Sequence, residues 1–305
     1  MADSILKSYY HTLYNCPIVE LSGYARAHNL PGRLYAYLDF GGPTGTAKDG
    51  LAECMLAFAA NRGELKPGQP VVEAASGSFA VALTLAARNA GHPVVLAVPE
   101  GLSDERKKTL KALGAKLEYS GTLYGRKGAE KLARQLAQKL GGYYVNYFAN
   151  DDNPQYHRRV TGQAIAKAIY RQNAPSLVDA VVVGVGSGGT VTGVGETVKA
   201  WTNDVRIVAV EPYECQALSG GFVGKHQIPG LGAGFVPENY NPYVVDRIAA
   251  VTSADAARAA HEVLRTDSIP ACASAGATLA AARVLMEKGA SHAALCVFSG
   301  RKLYE

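Results

Sequence analysis

The sequence predicts an α/β protein whose mainly parallel sheets carry helices on both faces, and three observations predict it. Short apolar runs at 71–72, 94–98, 117–119, 180–185, 207–210 and 294–298 read as strands, with helical patterns between them. With 33 glycines and 48% hydrophobic residues, the composition suits strands buried on both faces. At 305 residues the chain can bury one large or two medium cores.

Taken along the chain, the first feature is a glycine-bounded turn, Gly42-Pro43-Thr44-Gly45-Thr46-Ala47-Lys48-Asp49-Gly50. The strand at 71–72 then runs into a Ser-Gly-rich strand-to-helix turn at 75–80. A charged helix over 104–115 follows the strand at 94–98. Residues 126–140 place Ala129, Leu132, Ala133, Leu136 and Leu140 on one face, an amphipathic helix that covers a sheet. The polar stretch 150–154 breaks the pattern and marks a domain boundary. Beyond it the strand at 180–185 ends in Gly186-Ser187-Gly188-Gly189-Thr190, which opens a helix to about Val198. The last strand, 294–298, runs into Ser299-Gly300.

Charge and cysteine usage exclude several function classes. The net charge is +5, with Lys and Arg spread over helices instead of gathered in a block, which argues against nucleic-acid binding. No apolar run reaches the roughly 20 residues needed to cross a bilayer, and residues 1–10 lack a signal peptide's apolar core. A cytoplasmic protein is expected. Cys16, Cys54, Cys215, Cys272 and Cys296 are widely spaced without a CxxC pair, so buried thiols are expected, with no disulfide framework and no zinc or other metal site.

Two motifs carry chemistry. A lysine beside a tight turn, here Lys48, can form a Schiff base with an aldehyde cofactor. A glycine loop between a strand and a helix, here 186–190, can hold that cofactor's phosphate, because the first N–H groups of a helix are unpaired and its dipole is positive there. The hydroxyls of Ser187 and Thr190 can add bonds. A dinucleotide site also uses glycine turns, but that reading lacks a suitably placed acidic residue for a ribose and leaves Lys48 unexplained. The pair points to pyridoxal phosphate.

In their order and setting these motifs resemble the cysteine synthase and cystathionine β-synthase family, the fold type II pyridoxal phosphate enzymes with a tryptophan synthase β-like fold. The resemblance runs from Asn15-Cys16-Pro17-Ile18-Val19 to Ser299-Gly300. It implies a smaller N-terminal α/β domain at 38–150 carrying Lys48, and a larger one made of 1–37 plus 151–305 carrying the phosphate loop. It also implies a homodimer. With so little chain after Ser299-Gly300, no appended regulatory module is expected, nor an N-terminal haem segment.

Residue by residue, the resemblance makes Lys48 the Schiff-base lysine and the base that removes the Cα proton. Gly186, Ser187, Gly188, Gly189 and Thr190 take the cofactor phosphate, and Ser299 faces the pyridine nitrogen. A neutral serine there suits β-elimination and β-replacement better than transamination, for which an aspartate would keep the nitrogen protonated. The family's T-S-G-N-T-G loop, which clamps the substrate carboxylate, corresponds to Ala75, Ser76, Gly77, Ser78, Phe79 and Ala80. Only Ser76 and Gly77 match. Ser78 replaces the asparagine that touches the cofactor's 3′ oxygen, and Tyr147 stands where cysteine synthases carry a substrate-facing glutamine. Gly230, Gly232 and Ala233 belong to a matched G-x-G-A-G-F-x-P loop at the pocket mouth, and Ser274-Ala275-Gly276-Ala277 matches S-S-G-A with the second serine lost.

The implied activity joins an activated serine-type donor (O-acetylserine, O-phosphoserine or serine) to a nucleophile and yields a β-substituted alanine. The altered carboxylate loop implies a specificity different from simple cysteine synthesis. A β-lyase such as a cysteine desulfhydrase would use the same lysine and release pyruvate. A non-catalytic binding paralogue is suggested by the loss of asparagine at Ser78 and opposed by Lys48 with an intact phosphate loop. Threonine-dehydratase-like enzymes share the fold but not the P-x-G-T-x-K-D setting of the lysine.

Overall fold

A computed structural model of the chain describes residues 16–121, 125–172 and 174–301. The reading of residues 1–10, and Asn15 of the N-terminal match, lie outside the described residues. Beside the expected strands, the N-terminal stretch forms β1 (Ile18–Glu20), α1 (Ser22–Ala27) and β2 (Arg33–Leu38). There follow α2 (Lys48–Asn61), β3 (Val71–Glu73), α3 (Ser78–Asn89), β4 (Val94–Pro99), α4 (Asp104–Ala112), β5 (Ala115–Ser120), α5 (Gly125–Leu140) and β6 (Tyr143–Tyr144). The rest comprises α6 (Asp152–Arg159), α7 (Thr161–Ile169), β7 (Ala180–Gly184), α8 (Gly189–Trp201), β8 (Arg206–Pro212), β9 (Arg247–Val251), α9 (Ser253–Asp267), α10 (Ala273–Glu287) and β10 (Ala293–Phe298).

The chain divides into two compact units, one of Lys48–Asp152 and one of the described residues of Met1–Ala47 with Asn153–Glu305. The observed limits differ from the expected 38–150 mainly at the first crossing. Residues 38–47 stay with the larger unit because Leu38 completes β2 and the following loop is bonded to the segment after β10: Asp39 N–H donates to Phe298 O and Ala47 N–H to Ser299 O, each at 2.9 Å.

In the larger unit six strands run in the order β1-β2-β10-β7-β8-β9, all neighbours parallel except β1 with β2. Valine runs favour the extended backbone, and the period of two sends alternate residues of β7 into different cores. Val182 joins Ala277, Ala281 and Leu285 of α10, while Val181 and Val183 join Ile165 of α7 and Val194 of α8. Helices therefore cover both faces. The smaller unit has an all-parallel sheet, β5-β4-β3-β6.

In α5 the buried residues Ala129, Ala133 and Ala137 follow the i, i+4 row and sit against Val72, Val95 and Ala97. Leu132 and Leu136 flank them, but Leu140, expected on this face, is exposed because it ends the helix. The charged helix stops at Ala112, short of 115. Gly114 at φ +93 turns the chain into β5. Cys215 and Cys296 are buried, whereas Cys16, Cys54 and Cys272 are only half-buried, against the expectation for all five. No helix among the described residues is long and apolar enough to cross a membrane.

Candidate active site

Each sheet has one place where strand order reverses, and several of the expected site residues leave the strands there. In the larger unit the chain moves outward from β7 to β8 and β9, while β10 lies on the other side of β7. The carboxyl ends of β7 and β10 therefore lie side by side where the strand order turns back, which is where open α/β sheets form ligand crevices. The 186–190 loop leaves β7 there, and Ser299 leaves β10. The register pairs Cys296 with Val182, so Ser299 exits level with Val185.

The 186–190 loop is a close-fitting cradle. Gly188 is the N-cap of α8 in the left-handed region (φ +83) and supplies no side-chain cap to the first-turn N–H groups. A Cβ on Gly186 would lie 2.1 Å from the carbonyl oxygen of Gly230, so the cradle is packed directly against the 230–234 loop. Gly232 N–H also donates to Val185 O at 3.0 Å. His226 secures the far side of that loop: its Nδ1 accepts from Ile228 N–H, so the proton sits on Nε2 and is donated to Gly232 O.

Two residues that the sequence reading passed over hold the cradle's hydroxyls. Asn153 and His157, four apart on α6 and both fully buried, face the loop together. Asn153 Nδ2 donates to Ser187 Oγ at 3.0 Å, and His157 Nε2 pairs with Thr190 Oγ1 at 3.1 Å while its Nδ1 pairs with Thr161 Oγ1 at 2.9 Å. Only a glycine at 189 permits this, since a Cβ there would meet Asn153 Oδ1 at 1.8 Å. The loop contains hydroxyls and backbone N–H groups and no carboxylate, a set that suits a phosphate dianion.

Ser299 is tied to two further segments. Its carbonyl accepts from the N–H of Ala47, the residue before Lys48, and Arg301 N–H donates to Gly45 O, forming an antiparallel bridge of Thr46 with Gly300. Its hydroxyl lies 3.3 Å from Ser274 Oγ, which lies 3.0 Å from Cys272 Sγ. Ser274 of the S-S-G-A match is therefore in contact with Ser299.

In the smaller unit Lys48 is the half-buried first residue of α2. The strand order there reverses at β3: β4 and β5 follow on one side and β6 lies on the other. The segment 74–80 leaves β3, and the turn holding Tyr147 follows β6, at the same edge of the sheet. Ala75, Ser76 and Ser78 are half-buried and Gly77 is exposed as the N-cap of α3. Phe79, by contrast, is 4% exposed and stacks on Tyr147, itself 8% exposed, with ring centroids 3.9 Å apart and planes 18° apart. The two departures from the family pattern form one packed wall.

Glu73 sits between these segments with 2% of its surface exposed. Its Oε1 accepts from Ala74 N–H at 2.8 Å and its Oε2 from Tyr147 N–H at 3.1 Å. Burial pushes its carboxyl up to about 7, against the pull of these N–H bonds. A glutamate ending an apolar strand just before a glycine turn was the one available hint. Among the described residues no cluster of His, Cys, Asp and Glu is arranged to hold a metal ion.

A family model described as pyridoxal-phosphate dependent enzyme matches residues 10–300. The cysteine synthase of Staphylococcus aureus (strain Mu50) is 36% identical over 249 residues, covering 82% of this chain and 79% of that protein. Cysteine synthase A of Escherichia coli (strain K12) is 36% identical over 286 residues, covering 90% and 85%. Among solved structures, an O-ureido-L-serine synthase superposes with a TM-score of 0.88 at 32% identity, covering 97% of this chain and 92% of that one. The cysteine synthase of Entamoeba histolytica superposes with a TM-score of 0.88 at 31% identity, covering 99% and 89%.

Proposed function

The chain belongs to the pyridoxal-phosphate dependent enzymes, as a cysteine-synthase-like member, and on that premise we propose that it is a β-replacement synthase of altered substrate specificity. It makes a β-substituted alanine from an activated serine-type donor and a nucleophile. The observation that carries the altered specificity is the Phe79–Tyr147 stack, which occupies the positions where the resembled family has a carboxylate-binding threonine and a substrate-facing glutamine. An oxygen-linked product on this scaffold has a precedent in the O-ureido-L-serine synthase among the structural relatives.

The residues present fit the cofactor. The glycine cradle and its hydroxyls, oriented by Asn153 and His157, would hold the phosphate; Lys48 would hold the cofactor covalently; Ser299 would meet the pyridine nitrogen with a neutral hydroxyl, supported by Ser274. Pyridoxal phosphate, when bound, supplies an electron sink for the charge left at Cα of the donor. Lys48 would move the Cα proton, since a displaced lysine amine is the nearest base that the motif provides. Ser76 and the N–H groups opening α3 would take the donor carboxylate, with Ser78 on the cofactor's ring side. Gly230, Gly232 and Ala233 would border the nucleophile's entry. In the same reading the enzyme is a cytoplasmic homodimer acting on small amino acids.

The test is product analysis. The holoenzyme is offered O-acetylserine, O-phosphoserine, serine and cysteine separately, each with and without sulfide. A new β-substituted amino acid is expected. Pyruvate as the sole product from every donor overturns the synthase reading in favour of a β-lyase, and no turnover of any donor favours a binding paralogue.

A further inference from the structure

Glu73 is a buried carboxyl whose hydrogen-bond partners are backbone N–H groups. No lysine or arginine among the described residues forms an ion pair with it; on α5, Glu130, itself paired with Arg126, opposes its ionisation, and Arg126 and Arg134 lie over Phe148 and Tyr144. A carboxylate left this way is costly, so its retention needs a reason. Geometry supplies one. β3 and β6 end side by side, with Val72 paired to Tyr144 and Val145 N–H donating to Val72 O, and the chain leaves each strand into a different segment. One oxygen of Glu73 holds each segment. An amide could not replace it, because its nitrogen would present N–H to N–H.

We propose that Glu73 is a positioning residue for the donor amino acid: ionised, it ties the 74–80 segment to Tyr147 and so sets the Phe79–Tyr147 wall beside the donor; protonated, it releases one of the two. This rests on the reading above that these segments face the donor. Burial raises the carboxyl to about 7, with Glu130 adding to the rise and the backbone N–H bonds lowering it, so the tie changes state near neutrality. Tyr144 of β6, whose phenol is itself pushed upward by burial, stays neutral throughout that range.

The experiment compares reconstituted holoenzyme, wild type and Glu73→Gln, by titrating L-serine and O-acetylserine against the bound cofactor's absorbance between pH 6 and 8.5. Titrations of the donor and of other groups cancel in the ratio of the two proteins' dissociation constants. Expected is a ratio of roughly ten or more at pH 8, the worth of one hydrogen bond to a charged acceptor, falling toward one at pH 6, with equal cofactor retention. A ratio that stays flat, or cofactor loss in the variant, overturns the proposal. Hydrogen exchange in the wild type needs no variant: protection of the Tyr147 amide, referenced to β4, should fall below about pH 7, and constant protection overturns the proposal equally. If the wild type gives no donor signal at all, the synthase reading fails and this proposal fails with it.

Discussion

Gly186→Ala is the most direct probe of how the cradle is built. The added Cβ would lie 2.1 Å from Gly230 O, where ordinary contact begins at 3.4 Å, so the 186–190 and 230–234 loops must separate by more than 1 Å. Both atoms in conflict are backbone or fixed to it, and no rotamer relieves them. Overpacking of this kind costs about 1–3 kcal/mol. A 1 Å shift also carries an N–H out of hydrogen-bond range of a bound phosphate. Losing one charge-assisted bond costs about 1.5–3 kcal/mol, a roughly ten- to hundredfold weaker cofactor. The assay is titration of the apoprotein with pyridoxal phosphate, alongside thermal unfolding with and without it. Gly101→Ala, away from the cradle and the 74–80 segment, is the steric control, since its Cβ meets nothing within 4 Å, and cofactor affinity should be unchanged there. Wild-type affinity and an unchanged melting temperature in Gly186→Ala would show that the two loops do not meet as described.

Lys48→Ala should abolish the borohydride-reducible attachment of the cofactor; peptide mapping that finds another lysine labelled sinks the assignment. Phe79→Thr, which restores the family residue, should cost about 3 kcal/mol or more because Phe79 is buried against Tyr147. Its coupling to Tyr147→Gln in a double-mutant cycle should be about 1 kcal/mol, and strict additivity would dissolve the wall as a unit. The triple variant Ser78→Asn, Phe79→Thr, Tyr147→Gln should raise turnover of O-acetylserine with sulfide relative to the parent, and an unchanged ranking of donors would place specificity outside this wall. Glu73 also predicts a pH dependence of stability. Its carboxyl is raised from 4.5 to about 7 in the fold, so the native state holds the proton more tightly than the unfolded chain. Stability from this group is greatest below about pH 4.5 and falls by on the order of 3 kcal/mol as pH rises through 7. Between pH 5 and pH 8, urea unfolding should show the wild type losing more stability than Glu73→Gln does, and equal changes in the two proteins refute it.

Sequence alone carried the α/β class, the six strands at 71–72, 94–98, 117–119, 180–185, 207–210 and 294–298, the Lys48 turn and the 186–190 loop. These are local signals: apolar period, glycine position and residue order within a few neighbours. It did not show β1, β2, β6 or β9, whose short or mixed compositions acquire strand form only by pairing with a neighbour already in place. Nor did it show that the polar break at 150–154 opens a helix whose Asn153 and His157 orient Ser187 and Thr190. Glu73 with Tyr147, Phe79 with Tyr147, Gly186 with Gly230 and Ser274 with Ser299 are pairings across 25 to 74 positions of chain. Such contacts depend on which strands are neighbours and in what register, and on where the strand order turns back, so nothing in the spacing of the residues could supply them.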